Sequence, residues 1–273
     1  MDSTDGSFSY GPAQISFKRY GYGAKKILAF HGFGQQAENM LPLAKVFDTD
    51  YSFYSFDIFF HGRSLWQAKD VPISQEFWQA FFHRWLESEN IDRFTLIGFS
   101  MGCKFCLSTL HAFPERTDRI ILLAPDGLAP NRLYRLAVGT ERMRNFLKKL
   151  IFKPFSFFAL VSTLRTLHLV NPSLLKFAAS QMNTREKRWR VYNSWISFRM
   201  LHFSPADTAE LLNRYRIPAE IFIGKFDRVI TRRSIEPLVA QLHNARLHVL
   251  ESGHGDFVLK AARFYRQELG VAA

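Results

Sequence analysis

What most constrains this chain is its alternation of short apolar runs with helical segments. The runs "AQISFKRYG", "KKILAFHG", "YSFYSFDIFF", "RFTLIGFS", "RIILLAPDG", "AEIFIGKFD" and "ARLHVLESG" read as strands. Segments such as "SQEFWQAFFHRWLESE" and "TRRSIEPLVAQL" carry apolar residues at spacings of three and four, the period of a helix buried on one side. Strands separated by helices build a mainly parallel sheet covered on both faces, because each parallel connection must cross over the sheet. With 273 residues and 47% hydrophobic content, the chain has enough apolar mass to bury such a sheet. The Gly-Pro of "FSYGPAQISF" lies between two short runs and predicts a hairpin that adds antiparallel strands at one edge. The expected fold class is α/β, with an eight-stranded, mostly parallel sheet.

One segment breaks the alternation. From Asn131 to Pro205 no strand pattern occurs, and "RMRNFLKKLIFKPFSFFALV" and "REKRWRVYNSWISFRMLHF" interleave cations with Phe, Trp, Leu and Met. This stretch holds fourteen Lys and Arg against Glu141 and Glu186, which accounts for the whole formal net charge of +12. The remainder of the chain is electrically balanced. The expected organisation is therefore a core of residues 1–127 and 206–273 with a basic, aromatic-rich helical insertion at 128–205.

Chemistry is carried by "FTLIGFSMGCKF". An apolar strand ends on Ser100, held between Gly98 and Gly102, and a helix follows at once. A G-x-S-x-G at a strand-to-helix turn is the geometry that lifts a serine hydroxyl to the rim of a sheet. A serine hydroxyl is a weak nucleophile at neutral pH and needs a base within hydrogen-bond reach, itself oriented by an acid. Asp227 closes the strand "AEIFIGKFD", and His254 lies in the "GHGDF" loop after the last strand. In a parallel sheet ligands gather beyond the carboxyl ends of the strands, so Ser100, Asp227 and His254 should converge on one edge. Asp126, in "LLAPDG", also ends a strand and is the alternative acid. His31 and His61 sit in His-Gly loops and are expected to brace turns. His111 and His248 fall inside predicted elements and are expected to be satisfied locally, and Asp256 to cap the helix "FVLKAARFYRQEL".

With these residues in place the chain resembles the α/β-hydrolase superfamily. Besides the elbow and the order Ser, acid, His, "HGFG" at His31 to Gly34 is similar to the family's oxyanion loop. "DIFFHGRS" at Asp57 to Ser64 is similar to its Asp-x-Pro-Gly-His-Gly-x-Ser segment, with Phe59 and Phe60 in place of Pro and Gly. The resemblance implies that Ser100 attacks an acyl carbon, His254 shuttles the proton and Asp227 holds the imidazole. It also implies that the backbone N–H groups of Phe33 and Met101 bind the developing oxyanion, and that the insertion is the family's cap. Cys103 stands where a second glycine often follows the elbow in that family, and its small side chain is expected to let helix and strand pack closely.

The implied activity is cofactor-free serine hydrolysis of an ester or thioester with an apolar acyl part. An acyltransferase, lyase or C–C bond hydrolase with the same triad, or a noncatalytic lipid- or partner-binding protein of the same fold, are the competing readings. No metal-ligand cluster is evident around Cys103 and Cys106, three residues apart on one helix. The basic insertion makes an acidic carrier protein or an anionic lipid surface the expected partner. Nucleic acid is not expected, since no recognition motif accompanies the charge. "MDSTDGSFSYG" lacks the features of a secretory signal. "LIFKPFSFFALVSTL" (150–164) falls short of the roughly 18 apolar residues of a spanning helix. The expected location is the cytoplasm.

Overall fold

A computed structural model of the chain describes residues 2–47, 50–128, 132–153, 155, 159 and 179–270. The strands are β1 (Ser3–Tyr10), β2 (Ala13–Tyr20), β3 (Lys25–Phe30), β4 (Tyr51–Phe56), β5 (Leu65–Trp66), β6 (Phe94–Phe99), β7 (Thr117–Leu123), β8 (Ala219–Gly224) and β9 (Ala245–Leu250). The α-helices are α1 (Leu41–Ala44), α2 (Gln75–Ser88), α3 (Gly102–Ala112), α4 (Arg132–Gly139), α5 (Glu141–Phe152), α6 (Arg185–Ser197), α7 (Pro205–Arg214), α8 (Arg232–Val239) and α9 (Phe257–Leu269).

The sheet runs in the order β1-β2-β4-β3-β6-β7-β8-β9. From β4 to β9 every pairing is parallel, and the β1–β2 hairpin and the β2–β4 pair are antiparallel. The eight expected strands form this path, and a ninth, two-residue β5 pairs with the start of β2. Two residues are too few to leave a periodicity in the sequence, which is why β5 was not legible there.

Two apolar layers follow from the alternation of side chains along each strand. On β3, Ile27 and Ala29 join a cluster with Ile97, Phe99, Ile121, Leu123 and Phe222 that is covered by Phe257, Val258 and Ala261 of α9. Phe30 faces the other way, stacking on Phe56 at 5.0 Å and meeting Trp78 and Phe82 of α2 and Phe105 of α3. Helix α2 earns that place by burying Trp78, Phe81, Phe82, Trp85 and Leu86, and it starts where the Ser74 hydroxyl accepts the Phe77 N–H at 3.1 Å. At roughly 1.5–3 kcal/mol per buried large apolar side chain, this aromatic layer is a principal stabilising element.

The chain divides into two compact units: Met1–Gln67 with Ser74–Ala129 and Leu201–Ala273, and Ala68–Ile73 with Pro130–Met200. In the second unit Val138 of α4, Leu147 and Ile151 of α5, and Tyr192 and Ile196 of α6 form a cluster with Met182. The Ala68–Ile73 strap is held to it by Tyr192 Oη donating to Asp70 at 2.9 Å and by Ile73 N–H donating to Ser197 C=O at 2.8 Å. Thr140 and Thr184 cap α5 and α6 through their hydroxyls. Most of the apolar stretch 150–164 lies outside the described residues, as does most of the expected insertion between α5 and Ala179. Among the described residues no helix is long and apolar enough to cross a membrane.

Candidate active site

Ser100 stands between the end of β6 and the start of α3 with φ +50°, a left-handed backbone that a non-glycine residue adopts only under local compulsion. Its N–H donates to Leu123 C=O at 2.8 Å, and its C=O accepts from Cys103 N–H at 2.9 Å, so the turn is pinned from both sides. The flanking glycines are required by close approach. A Cβ on Gly102 would lie 2.1 Å from the Phe30 carbonyl oxygen, and one on Gly98 would lie 2.7 Å from Cys106 Sγ. Cys103, whose Sγ sits 3.2 Å from Gly98 C=O, fills the same crowded seam between helix and strand. Both cysteines are free and buried, and burial pushes their thiols up, away from reactivity.

The loops after β8 and β9 bring the other two residues to this turn. His254 Nε2 lies 2.9 Å from Ser100 Oγ, and His254 Nδ1 lies 2.7 Å from Asp227 Oδ2. A carboxylate only accepts, so Nδ1 carries the proton and Nε2 is left to accept from the serine hydroxyl. Asp227 Oδ1 is taken by the N–H groups of Val229 at 2.7 Å and Ile230 at 3.0 Å. Burial alone would push the Asp227 carboxyl up. The His254 hydrogen bond and charge and the two backbone N–H groups outweigh it and hold it below the ordinary value. The Asp227 side chain is fully buried and that of His254 is 21% exposed, so the acid is shielded and the base is open to a reactant. The imidazole rests against the Phe99 ring, 5.2 Å between centroids.

The alternative acid is placed elsewhere. Asp126 N–H donates to Ser100 C=O at 3.2 Å, and its carboxylate lies 3.4 Å from Lys104 Nζ, while His254 pairs with Asp227. Asp256 stands at the start of α9 without capping it; its Oδ1 lies 2.7 Å from Ser252 Oγ. That contact spans the loop carrying His254, a tie the sequence pattern did not signal. His111 finds its partners outside its own helix, with Thr208 Oγ1 of α7 at 3.2 Å and the Phe203 ring stacked at 4.5 Å. His248 departs from expectation: it is stacked between Phe222 and Phe264, and its buried Nε2 has no hydrogen-bond partner among the described residues.

Phe33 and Met101 stand on the two loops expected to supply oxyanion donors. Met101 precedes the first turn of α3, where backbone N–H groups have no intrahelical acceptor. Neither its N–H nor that of Phe33 donates to another described residue. The "HGFG" loop is braced by groups that leave those donors open. His61 Nε2 accepts Gly34 N–H at 3.0 Å while its Nδ1 faces Phe59 C=O, and His31 Nε2 accepts Ile58 N–H at 3.0 Å. Gln35 Oε1 accepts Gly32 N–H at 3.0 Å within the same loop. Asp57 ties the two loops together, accepting Ala37 N–H at 2.8 Å and Arg63 N–H at 2.9 Å. Phe60, where glycine is usual in this segment, takes φ +69° with its ring buried, so burial offsets a backbone strain of about 1–3 kcal/mol.

The α/β-hydrolase fold family model matches residues 26–261, and the chain belongs to that family. Membership of that family gives the chain the α/β-hydrolase fold. An abhydrolase domain-containing protein of Schizosaccharomyces pombe is 27% identical over 120 residues, 42% of this chain and 43% of that protein. The chain spans less than half the length of the curated relatives it matches. Among solved structures, the thioesterase domain from the curacin biosynthetic pathway superposes with a TM-score of 0.67 at 16% identity, covering 98% of this chain and 100% of that one. An α/β-hydrolase enzyme from a Medee basin deep-sea metagenome library gives 0.70 at 17% identity, covering 97% and 96%. At such identities these structures share the fold.

Proposed function

We propose that the chain is a serine hydrolase that cleaves a carboxylic ester or thioester with an apolar acyl part through an acyl-enzyme on Ser100. The reading rests on one observation, the continuous hydrogen-bonded chain Asp227–His254–Ser100. Ser100 Oγ attacks the acyl carbon as its proton passes to His254 Nε2, and the carbonyl oxygen becomes an oxyanion. The bond to the leaving oxygen or sulfur then breaks, and that atom takes the proton from Nε2. Water then attacks the acyl carbon as its proton passes to Nε2, the bond from that carbon to Ser100 Oγ breaks, and Oγ takes the proton back from Nε2 as the acid leaves. Asp227 stabilises the imidazolium at each stage without itself taking the proton. The N–H groups of Met101 and Phe33 receive the oxyanion; such a donor contributes typically 100- to 1,000-fold in rate.

An apolar acyl group suits the buried Phe99 and Met101 that flank the nucleophile. The name of the curacin-pathway thioesterase domain makes a thioester a natural alternative to an oxygen ester. Residues 128–205 take the role of a cap, being inserted in sequence between β7 and β8. Two free, buried thiols suit the reducing cytoplasm. The test is labelling of wild type, Ser100→Ala and His254→Ala by a fluorophosphonate, with hydrolysis of nitrophenyl esters of increasing chain length. Wild type should label and both variants should not, with kcat/KM rising along the series. A folded wild type that neither labels nor turns over would remove the proposal.

A further inference from the structure

The second unit presents a surface that hydrolysis does not use. Along α5, Arg142, Phe146, Lys149 and Lys153 are spaced by four, three and four residues, with Lys153 at the cap position. At 100° per residue they fall within roughly 60° of one another. All four are exposed, Phe146 at 58%, while Leu147 and Ile151 on the opposite side are buried in the cluster with Tyr192 and Ile196. Neighbouring α4 adds the exposed Arg135 and Leu136, the latter at 61%. The contrast with Lys148 is informative: its ammonium lies 3.6 Å from Asp70 and over the Tyr192 ring, so its charge is engaged inside the unit. Arg142, Lys149 and Lys153 form no ion pair with a described residue.

We propose that this stripe docks the protein on an anionic lipid surface, lying flat with its cations among headgroups and Phe146 entering the acyl boundary. Charge complementarity selects a negative partner, because the unit's acids are few and the stripe's own cations are not neutralised within it. The apolar side chains select a bilayer over an acidic protein. An exposed phenylalanine flanked by cations within a span of roughly 16 Å gains by entering the interface, whereas a highly charged acidic surface offers it no apolar contact. Polybasic segments contribute about 1 kcal/mol per Lys or Arg near an anionic membrane. The three stripe cations together therefore correspond to roughly 100-fold in partitioning, at tenfold per 1.4 kcal/mol. The inference is independent of the triad chemistry.

Flotation with vesicles of phosphatidylcholine alone or mixed with phosphatidylserine tests it, using wild type, the triple variant Arg142→Gln/Lys149→Gln/Lys153→Gln, and Phe146→Ser. Wild type should partition onto the phosphatidylserine vesicles and lose that binding as salt is raised, since screening shortens the attraction. The triple variant should bind roughly 100-fold more weakly and Phe146→Ser roughly tenfold more weakly. All of these substitutions are at the surface, so circular dichroism and hydrolysis of a soluble nitrophenyl ester should match wild type. That control separates failure of docking from failure of the hydrolase reading. Equal binding to both vesicle types, a triple variant that binds as wild type does, or capture by polyglutamate but by no vesicle would each overturn the proposal. The last outcome would give the stripe to an acidic protein.

Discussion

Asp227→Asn is the sharpest perturbation of the proposed mechanism, because the structure dictates how the new amide must sit. Oδ1 of Asp227 receives two backbone N–H groups, from Val229 and Ile230. An amide NH2 in that position would face two donors, so asparagine must place its carbonyl oxygen there and point its NH2 at His254 Nδ1. The imidazole then has to accept at Nδ1 and carry its proton on Nε2, 2.9 Å from Ser100 Oγ. In that tautomer it cannot take the serine proton. The expected loss in kcat is about 10,000-fold, as for a triad forced into the wrong tautomer, or roughly 5.5 kcal/mol of transition-state stabilisation. Fold and substrate binding should be little changed, because the replacement is isosteric and fully buried. Steady-state ester hydrolysis together with the rate of fluorophosphonate labelling measures the effect. The companion Asp126→Asn should retain kcat within a few-fold, since that carboxylate faces Lys104. A correctly folded Asp227→Asn enzyme within tenfold of wild type would refute the tautomer argument, and a collapse in Asp126→Asn instead would move the acid.

Two further expectations follow from groups that act at a distance from the reacting atoms. His61→Ala removes the acceptor for Gly34 N–H and loosens the loop bearing Phe33, so kcat should fall roughly 10- to 100-fold with KM little changed, against a larger loss for an oxyanion donor deleted outright. A loss confined to KM would show that His61 shapes binding instead. His248→Phe keeps the stack on Phe222 and Phe264 and removes a buried nitrogen that makes no hydrogen bond to a described residue and stands 4.0 Å from Glu220 Oε2, which should raise stability by about 1 kcal/mol at neutral pH, read as Tm. The gain should widen on acidification. Burial lowers the His248 pKa below the ordinary 6.5, so its contribution to stability is complete above that value and is lost as pH falls through the folded-state pKa; phenylalanine has no such loss. Equal Tm shifts at pH 7.5 and pH 5.5 would refute the linkage.

The sequence by itself determined the sheet, the elbow and the order of the three site residues. Alternating apolar runs can be buried only as a covered parallel sheet, and a serine between glycines at a strand-to-helix junction is local chemistry readable within a few residues. His254 and Asp227 were legible as strand-end residues for the same reason. Tertiary structure decided what depends on contact between distant segments. It paired His254 with Asp227 and turned Asp126 toward Lys104, a choice that two strand-end acids leave open in sequence. It joined Ala68–Ile73 to the second unit through Tyr192 and Ser197, whereas the bonds of Gln35 with Gly32 and of Ser252 with Asp256 are local ties that the sequence pattern did not signal. Tertiary structure also left the His248 Nε2 without a hydrogen bond to a described residue, 4.0 Å from Glu220. Local propensity acts over a few residues and fixes each element, whereas hydrogen bonds across 27 and 154 residues form only once the strands have aligned their ends.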